Sequence, residues 1–289
     1  MAATGNFGDE DSDLDVDFGW LEVDDTSVRD RAPQASDTIE DVLDAAEAVT
    51  QLSQLLTDMA DSVAEFNRQF NPDGDTCLDL GDALALADDG VLLAGINLDG
   101  ATLEGCNLSG ERMQGTSLVA ANLTAAILKD TNLEGATLTR ACLTRAVAIA
   151  ATFEMAKMNE IQAQLIQGRG SNFNYAKLRR SRLDLGDFER GRFDFASLHS
   201  ASAIEASFSA ASMQYADLSG GRFIRADFRG TDLRQANLTG ADLRGARLGA
   251  ADLSGVTLTG TVLVGAKFSA QTRWPQDFDP IAAGAVLEA

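Results

Sequence analysis

The sequence has little of what active sites are usually built from. Its 289 residues include one histidine, three cysteines and two tryptophans. No grouping of nucleophile, base and orienting residue is apparent, and there is no phosphate-binding loop or metal-ligand set. The histidine, His199, falls at a solvent-facing place of the repeat described below, so we interpret it as a surface residue. We therefore predict that the protein is not an enzyme and has no catalytic residue, cofactor or metal.

Cysteines in recognisable motifs and long apolar runs are absent as well. Cys77, Cys106 and Cys142 have neither zinc-ligand nor redox-motif spacing, so we expect reduced, structural thiols. No stretch approaches the roughly 18 apolar residues of a membrane span. The first residues have neither the basic region nor the apolar region of a signal peptide. We expect a cytoplasmic protein that does not contact a membrane.

Basic residues are scarce in the first third of the chain, where acidic residues are concentrated. Residues 1–90 contain 24 Asp and Glu against 3 Lys and Arg, a charge of −21. Residues 91–270 contain 17 against 19, a charge of +2, and residues 271–289 contain 3 against 1. The excess acidity of the chain therefore belongs to its N-terminal third, and two segments of different chemistry are joined.

From about residue 91 the sequence repeats with a period of five. The register begins VLLAG, INLDG, ATLEG and holds for 36 pentads without a frame shift. At the third place 32 of the 36 residues are Leu, Phe or Met, and at the first place 30 are Ala, Gly, Ser, Thr or Cys. Neither an α-helix, with a period of about 3.6, nor a strand, with a period of about 2, sustains this pattern. A solenoid does, with the third place pointing inward and stacked coils burying a continuous core.

This pattern closely resembles the pentapeptide repeat family, whose motif A-(D/N)-L-x-x is present at residues 236–238, 241–243 and 251–253. The resemblance covers about residues 91–270. It implies an all-β solenoid, namely a right-handed quadrilateral parallel β-helix. In that fold four pentads form one square coil, so residues four pentads apart are stacked neighbours. We expect about nine coils and, at roughly 4.8 Å per coil, a rod about 40 Å long.

Two segments depart from the pattern. Residues 146–170 hold three of the four small third-place residues, Ala148, Ala163 and Gly168. A helical insertion would fit their composition but would preserve the frame only by chance, so we predict continuous coils with a local narrowing. Beyond residue 270 the pattern ends, and Trp274 beside Pro275 can cover the last apolar ring. We interpret residues 271–289 as a C-terminal cap and tail.

The N-terminal third begins with an acidic segment. Residues 9–25 contain nine acids and no base, and Leu14, Val16, Phe18 and Trp20 alternate with the acids. Such a segment cannot bury enough apolar surface to fold alone, so we predict a disordered acidic arm over residues 1–36. Two interpretations stay open. The arm is either a docking motif that presents Phe18 and Trp20 to a partner, or a solubilising tail whose apolar residues rest on its own solenoid.

A helix signal follows the arm. Asp37 as N-cap with Glu40, apolar residues at three- and four-residue steps, and a stop at Asn71-Pro72 predict an amphipathic α-helix over residues 37–70. At 1.5 Å per residue it is about 50 Å long. The helix could lie along the rod, self-associate with a second copy, or dock on a partner, and the sequence does not rank these. Residues 71–90 are assigned to a linker and N-terminal cap.

Column stacking predicts one outward stripe of large side chains. Met155, Tyr175, Phe195 and Tyr215 occupy the last place of every fourth pentad, and Arg192 runs in a parallel column on the same face. The stripe either stabilises stacked rungs, as cross-strand aromatic pairs do, or forms a contact patch, and both uses can coexist. Exposed aromatics beside arginine are typical of interface centres. The candidate partner-binding residues are Met155, Tyr175, Arg192, Phe195 and Tyr215 on the coils, and Phe18 and Trp20 on the arm.

The arginines of the coils do not form one column. Arg182 and Arg222 share a column with Asp242, and Asp227 stacks under Arg247. Opposite charges one coil apart indicate charge-compensated ladders. This pattern argues against a nucleic acid as partner, because a nucleic-acid site needs its cations on one face.

These observations favour a non-catalytic protein–protein interaction scaffold or adaptor, of bacterial type, that binds a protein partner through a β-helix face, the acidic arm and the helix. The family resemblance implies two alternatives. One is a DNA-mimic modulator or protector of DNA gyrase or topoisomerase, for which acidic coils would be expected. The other is a cyanobacterial-type regulatory protein, suggested by the ending WPQDFDPIAAGAV.

Overall fold

The computed structural model describes residues 93–95 and 97–288. The arm over 1–36, the helix over 37–70 and the linker over 71–90 lie outside the described residues, as do Phe18 and Trp20.

The described chain winds into a four-sided parallel solenoid, and each turn of the solenoid is one coil. Isolated parallel bridges join residues 20 apart without a break, from Asn97 with Ser117 to Arg247 with Lys267. Each side of a coil is one pentad, which confirms the predicted quadrilateral parallel solenoid. We number the sides faces 1 to 4 by the first third-place residue of each, which are Leu93, Leu98, Leu103 and Leu108.

A tight turn makes each corner. The third-place carbonyl accepts a hydrogen bond from the first-place N–H of the next pentad, as the Leu98 oxygen does from Ala101 at 3.1 Å. From residue 95 to residue 265 every fifth-place residue has positive φ, for example 66° at Gly100. This is the geometry of a type II turn. Glycine adopts it without steric cost, whereas any other residue at a corner is strained.

The backbone ladder explains the Asn or Asp at the second place. Hydrogen bonds between coils and within turns engage the N–H groups of the first, second, third and fifth places, but not of the fourth. The side-chain oxygen of Asn97 accepts that fourth N–H from Asp99 at 2.9 Å. A fourth-place carboxylate can instead serve the next coil, as Asp184 Oδ1 accepts from the Ile204 N–H at 2.8 Å. Short polar side chains thus satisfy a donor that the coil leaves unpaired.

Third-place side chains fill the interior in four columns. Six phenylalanines form two stacked ladders, with ring centroids 4.6–4.8 Å apart on face 1 and 5.2 Å apart on face 4. The members are Phe153, Phe173 and Phe193 on face 1, and Phe188, Phe208 and Phe228 on face 4. The two ladders meet edge to face, and the centroids of Phe188 and Phe193 are 5.6 Å apart. Aromatic packing therefore links neighbouring faces as well as successive coils.

Small third-place residues make room for these rings. Residues 146–170 form regular coils, with bridges from Val147 to Gln167 and from Gln167 to Asp187. A methyl group on Gly168 would lie 3.0 Å from Cδ1 of Phe188, its neighbour in the next coil. The small residue is thus matched to a large ring in the adjacent coil, and no helical insertion interrupts the frame.

Residues 271–288 lie over the C-terminal end of the coil. Strand β1 (Lys267–Phe268) pairs in parallel with strand β2 (Val286–Leu287), which adds one rung on face 4. The Trp274 ring is edge-on to Phe268, with centroids 5.5 Å apart, and stacks on Phe278 at 5.3 Å. Trp274 and Phe278 pack against the buried core. They shield its last ring from water.

Candidate protein-binding face

Three aromatic side chains stack on the outside of the corner between faces 1 and 2. The ring centroids of Tyr175, Phe195 and Tyr215 are 5.0 and 4.9 Å apart, and the ring planes are within 2° and 5° of each other. The three side chains are 52%, 48% and 53% exposed. Met155 continues the column one coil earlier and is 45% exposed. We call these four residues the aromatic ladder; the structure brings all four predicted residues together.

Stability alone does not account for the ladder. Tyr175 and Phe195 have φ of 60°, and Tyr215 has φ of 58°. A left-handed conformation costs a non-glycine residue about 1–2 kcal/mol, whereas a stacked aromatic pair contributes about 0.5–1.5 kcal/mol. Replacing glycine also restricts the unfolded chain, which adds about 0.4–1 kcal/mol of stability per residue. The strain energy of the three residues therefore nearly cancels the stability gained from two stacked pairs and from three restricted positions in the unfolded chain.

Face 1 borders the ladder on one side. Arg192 is exposed there, and its backbone forms β-bridges with Asn172 and Ser212 in the neighbouring coils. The nearby carboxylate of Asp194 is engaged by the next coil, where Oδ1 accepts hydrogen bonds from Ser212 Oγ at 2.5 Å and from the Gln214 N–H at 3.0 Å. Among the described residues no carboxylate lies within ion-pair distance of Arg192. Its guanidinium remains available to a partner.

Face 2 borders the ladder on the other side and carries exposed cations. Lys157 and Lys177 are bridge partners in successive coils, and Arg179 follows in the same pentad as Lys177. All three are exposed, and none is within ion-pair distance of a carboxylate in the part of the chain that the structure describes. None of the other second- and fourth-place residues of face 2 in this stretch is acidic: they are Thr137, Thr139, Asn159, Ser197 and His199. We call Lys157, Lys177 and Arg179 the basic strip.

Three arginines of the later coils are neutralised within their own pentads. The guanidinium groups of Arg229, Arg234 and Arg244 reach the aspartate two residues earlier, with N–O distances of 2.5, 2.7 and 2.6 Å. The side-chain hydrogen bond from Arg244 holds the pKa of Asp242 below its ordinary value of 3.8. These arginines contribute no free positive charge to the surface.

The expected charge compensation between coils is present as an ion pair for Asp227 with Arg247; for Asp242 the contact with Arg244 dominates, and Arg222 one coil away adds a weaker charge interaction. Asp227 and Arg247 approach to 4.0 Å. Arg182 and Arg222 make no ion pair among the described residues, and Asp242 pairs with Arg244 in its own pentad. An arginine two residues after the aspartate can donate both Nε and Nη2 to it, as Arg244 does at 2.9 and 2.6 Å. This two-point contact favours the pairing within a pentad.

Other reactive side chains lie away from the ladder or are engaged. His199 is half-buried, with Nδ1 2.8 Å from Ser219 Oγ, so it is less solvated than expected. Burial raises the pKa of the Cys142 thiol, but hydrogen bonds with Thr124 and Thr144 outweigh burial and lower the pKa overall. Cys106 is buried and disulfide-bonded, so the expectation of a reduced thiol is wrong for it.

Over residues 93–95 and 97–288, no three His, Cys, Asp or Glu side chains are grouped as metal ligands. Within the same residues, no helix has both the length and the apolar character that crossing a bilayer requires.

The basic strip is missing from the partner-binding residues predicted from the sequence. The column count that aligns Tyr175 with Phe195 also places Lys157 beside Lys177, so part of the signal is present in the sequence. The count does not say which cations form ion pairs with carboxylates. Arg229 and Arg244 form such pairs, and the residues of the basic strip do not.

The repeat is matched by a family model described as pentapeptide repeats, over residues 92–134, 116–154, 192–230 and 231–269. Residues 155–191 fall between these matches, although their coils are continuous in the structure. No curated protein sequence matches the chain.

Three solved structures show the similarity. A pentapeptide repeat protein from Nostoc PCC 7120 is 37% identical over 34% of this chain and 84% of that chain, with a TM-score of 0.21. HetL, involved in heterocyst differentiation regulation in the cyanobacterium Nostoc sp. PCC 7120, is 25% identical over 64% and 91%, with a TM-score of 0.21. Trypsin-treated QnrB1, a plasmid-mediated fluoroquinolone resistance protein, is 17% identical over 68% and 91%, with a TM-score of 0.36.

Proposed function

This chain belongs to the pentapeptide repeat family, and on that premise we propose that it is a non-catalytic scaffold that binds a protein partner. The contact surface is the corner between faces 1 and 2, formed by the aromatic ladder and Arg192. The observation that carries the proposal is the exposure of three stacked rings, each about half exposed, at a corner where stability does not account for them. Aromatic and arginine side chains are enriched at the centres of protein interfaces.

The coil suits this role because it presents the ladder rigidly. Each ring is anchored on a backbone that hydrogen-bonds to the coils on both sides, as Phe195 N–H bonds to the Gln214 oxygen at 2.9 Å and Tyr175 N–H to the Asp194 oxygen at 3.0 Å. Neighbouring rings also restrict one another. Little side-chain freedom is lost when a partner docks on a surface that is already ordered, so more of the contact energy appears as affinity.

The acidic residues 1–36 and the amphipathic helix predicted for residues 37–70 complete the proposal as second contact elements, either for the partner or for self-association. They carry most of the net charge, and Phe18 and Trp20 are the apolar residues of the arm best suited to a partner groove. Deletion of residues 1–75 should change the oligomeric state or the set of bound proteins. A chain that keeps both unchanged after deletion would remove the arm and helix from the proposal. We place this binding in the cytoplasm of a bacterial cell.

The alternative functions take their support from relatives. QnrB1 is a fluoroquinolone resistance protein, and a DNA mimic acting on gyrase would need acidic coils, whereas residues 91–270 sum to +2. A gyrase supercoiling assay with near-stoichiometric protein separates this alternative from the scaffold. A regulatory role like that of HetL is compatible with protein binding and differs in the identity of the partner.

Photo-crosslinking tests the proposed face. The full chain is expressed in its native cell with p-benzoylphenylalanine in place of Tyr175, and crosslinked proteins are identified by mass spectrometry. The matched control carries the crosslinker in place of Leu185. That residue is 51% exposed, has the same φ of 60°, and lies at the opposite corner, between faces 3 and 4. We expect a specific protein adduct at 175 and none at 185; equal labelling at both corners would contradict the proposal.

A further inference from the structure

We propose that the aromatic ladder and the basic strip together bind an acidic protein segment that carries apolar side chains. This inference rests on the proposed function and adds the chemistry of the partner. The surface has Tyr175 and Phe195 at the corner and Lys157, Lys177 and Arg179 beside them on face 2.

The first argument is the unpaired charge of the basic strip. Lys157 and Lys177 are neighbours in successive coils, where like charges destabilise each other. The chain neutralises other cations locally, as Asp242 does for Arg244 at 2.6 Å. No carboxylate among the described residues does this for the basic strip. Carboxylates of a bound acidic segment would supply the missing counter-charge.

The second argument is the way in which the rings are presented. The two faces of Phe195 are covered by Tyr175 and Tyr215, whose planes are within 2° and 5° of its own. The exposed half of the Phe195 ring is therefore largely its edge. An aromatic edge is the positive part of the ring quadrupole. Ring edges and lysines thus favour the same ligand atoms, which are carboxylate and carbonyl oxygens.

The same ring geometry argues against a nucleic acid. Single strands bind to aromatic platforms by stacking bases on ring faces, and both faces of Phe195 are taken. Apolar side chains of a peptide can instead pack against the flank of the ladder, including Met155, which is 45% exposed. An acidic segment in which apolar residues alternate with carboxylates matches both parts of the surface.

Fluorescence anisotropy on the full chain tests the inference. The probe is a short labelled peptide in which aspartate alternates with leucine and phenylalanine. Lys177→Gln combined with Arg179→Gln should weaken its binding about tenfold, because two exposed charge contacts are lost. Phe195→Gly should weaken binding as well, and glycine is favoured at that corner conformation, so the coil stays folded. Added salt should weaken binding by the wild-type chain.

The matched control is Arg182→Gln combined with Arg222→Gln. Both residues are exposed on face 3 without an ion pair, so the change in net charge is the same. This control should leave peptide binding unchanged. An equal loss in the control would reduce the effect to net charge and overturn the inference.

Three further outcomes would also overturn it. These are no binding of the peptide, equal binding of a peptide with asparagine in place of aspartate, and displacement of the peptide by a tighter-binding single-stranded oligonucleotide. The result can be separated from that of the crosslinking experiment. A protein adduct at position 175 without peptide binding leaves the scaffold function intact and removes the acidic partner. Absence of any adduct at 175 refutes the scaffold function itself.

Discussion

The contact between Gly168 and Phe188 offers a quantitative test of how the interior is packed. Phe188 stacks on Phe208 with centroids 5.2 Å apart and meets Phe173 and Phe193 edge to face at 5.8 and 5.6 Å. A methyl group on Gly168 would lie 3.0 Å from Cδ1 and 3.3 Å from Cε1 of Phe188. The ring has little room to retreat, because Phe208 occupies its far side. Gly168 and Phe188 should therefore be energetically coupled.

The structure sets the size of each effect. Phe188→Ala removes a fully buried ring and three aromatic contacts, so it should lower the free energy of unfolding by about 4–5 kcal/mol. Gly168→Ala alone should lower it by about 1–2 kcal/mol through overpacking. In the double variant the new methyl group enters the space vacated by the ring. The double variant should therefore be at least about 1 kcal/mol more stable than the sum of the two single effects predicts.

Urea unfolding followed by far-UV circular dichroism measures these values. Solenoids can unfold in segments, so fluorescence of Trp274 in a Trp20→Phe background supplies a second probe at the C-terminal end. Gly168→Ala with Phe223→Ala is the control, because Phe223 is not among the atoms near a methyl group at Gly168. The effects of that pair should add. Additivity within about 0.5 kcal/mol for Gly168 and Phe188 would refute the packing argument.

Three further predictions concern the surface and the corners. Phe195→Gly should lower the free energy of unfolding by about 1 kcal/mol in urea titrations, because relief of the corner strain offsets most of the lost stacking and of the added freedom of the unfolded chain; a loss above about 2 kcal/mol would make the ladder a structural element. Thr231→Val should cost about 1 kcal/mol and Thr231→Ser much less, since the buried hydroxyl donates to the Phe208 carbonyl at 2.7 Å. Asp242→Asn keeps the acceptor for the Arg244 N–H but removes the charge. Because the folded pKa of Asp242 is lowered, the wild-type advantage is present above pH 3.8 and disappears as pH falls through the folded value. Thermal melts of both proteins between pH 7 and pH 2 check this, and curves that stay parallel would contradict it.

Register and column membership could be predicted from the sequence because the repeat is strict. Every fifth residue points inward, and the bridges follow the 20-residue step from Asn97 to Lys267. That step places Tyr175, Phe195 and Tyr215 in one column without any knowledge of side-chain geometry. The coil geometry also tolerates Gly168 without a break, because the Phe188 ring in the next coil fills the space.

The pairing of charges could not be predicted in the same way. The 20-residue step identifies residues that are stacked one coil apart, and it correctly predicts the ion pair of Asp227 with Arg247. For Asp242 the nearer partner is Arg244, two residues along the same pentad, where the turn aims the guanidinium back at the carboxylate. Such a choice depends on side-chain reach and turn geometry, which a five-residue pattern does not encode.

The ion pairs of the coils also argue against DNA mimicry by the coils. Asp227, Asp232 and Asp242 each hold an arginine within 2.7 Å, so their carboxylates add little free negative charge to the surface. Between residues 137 and 199, face 2 is basic in its outward second and fourth places. A DNA mimic needs a continuous acidic surface, because the phosphate backbone is what its target recognises. The coils do not present one, so the chemistry of such a mimic would have to reside in residues 1–90, whose charge is −21.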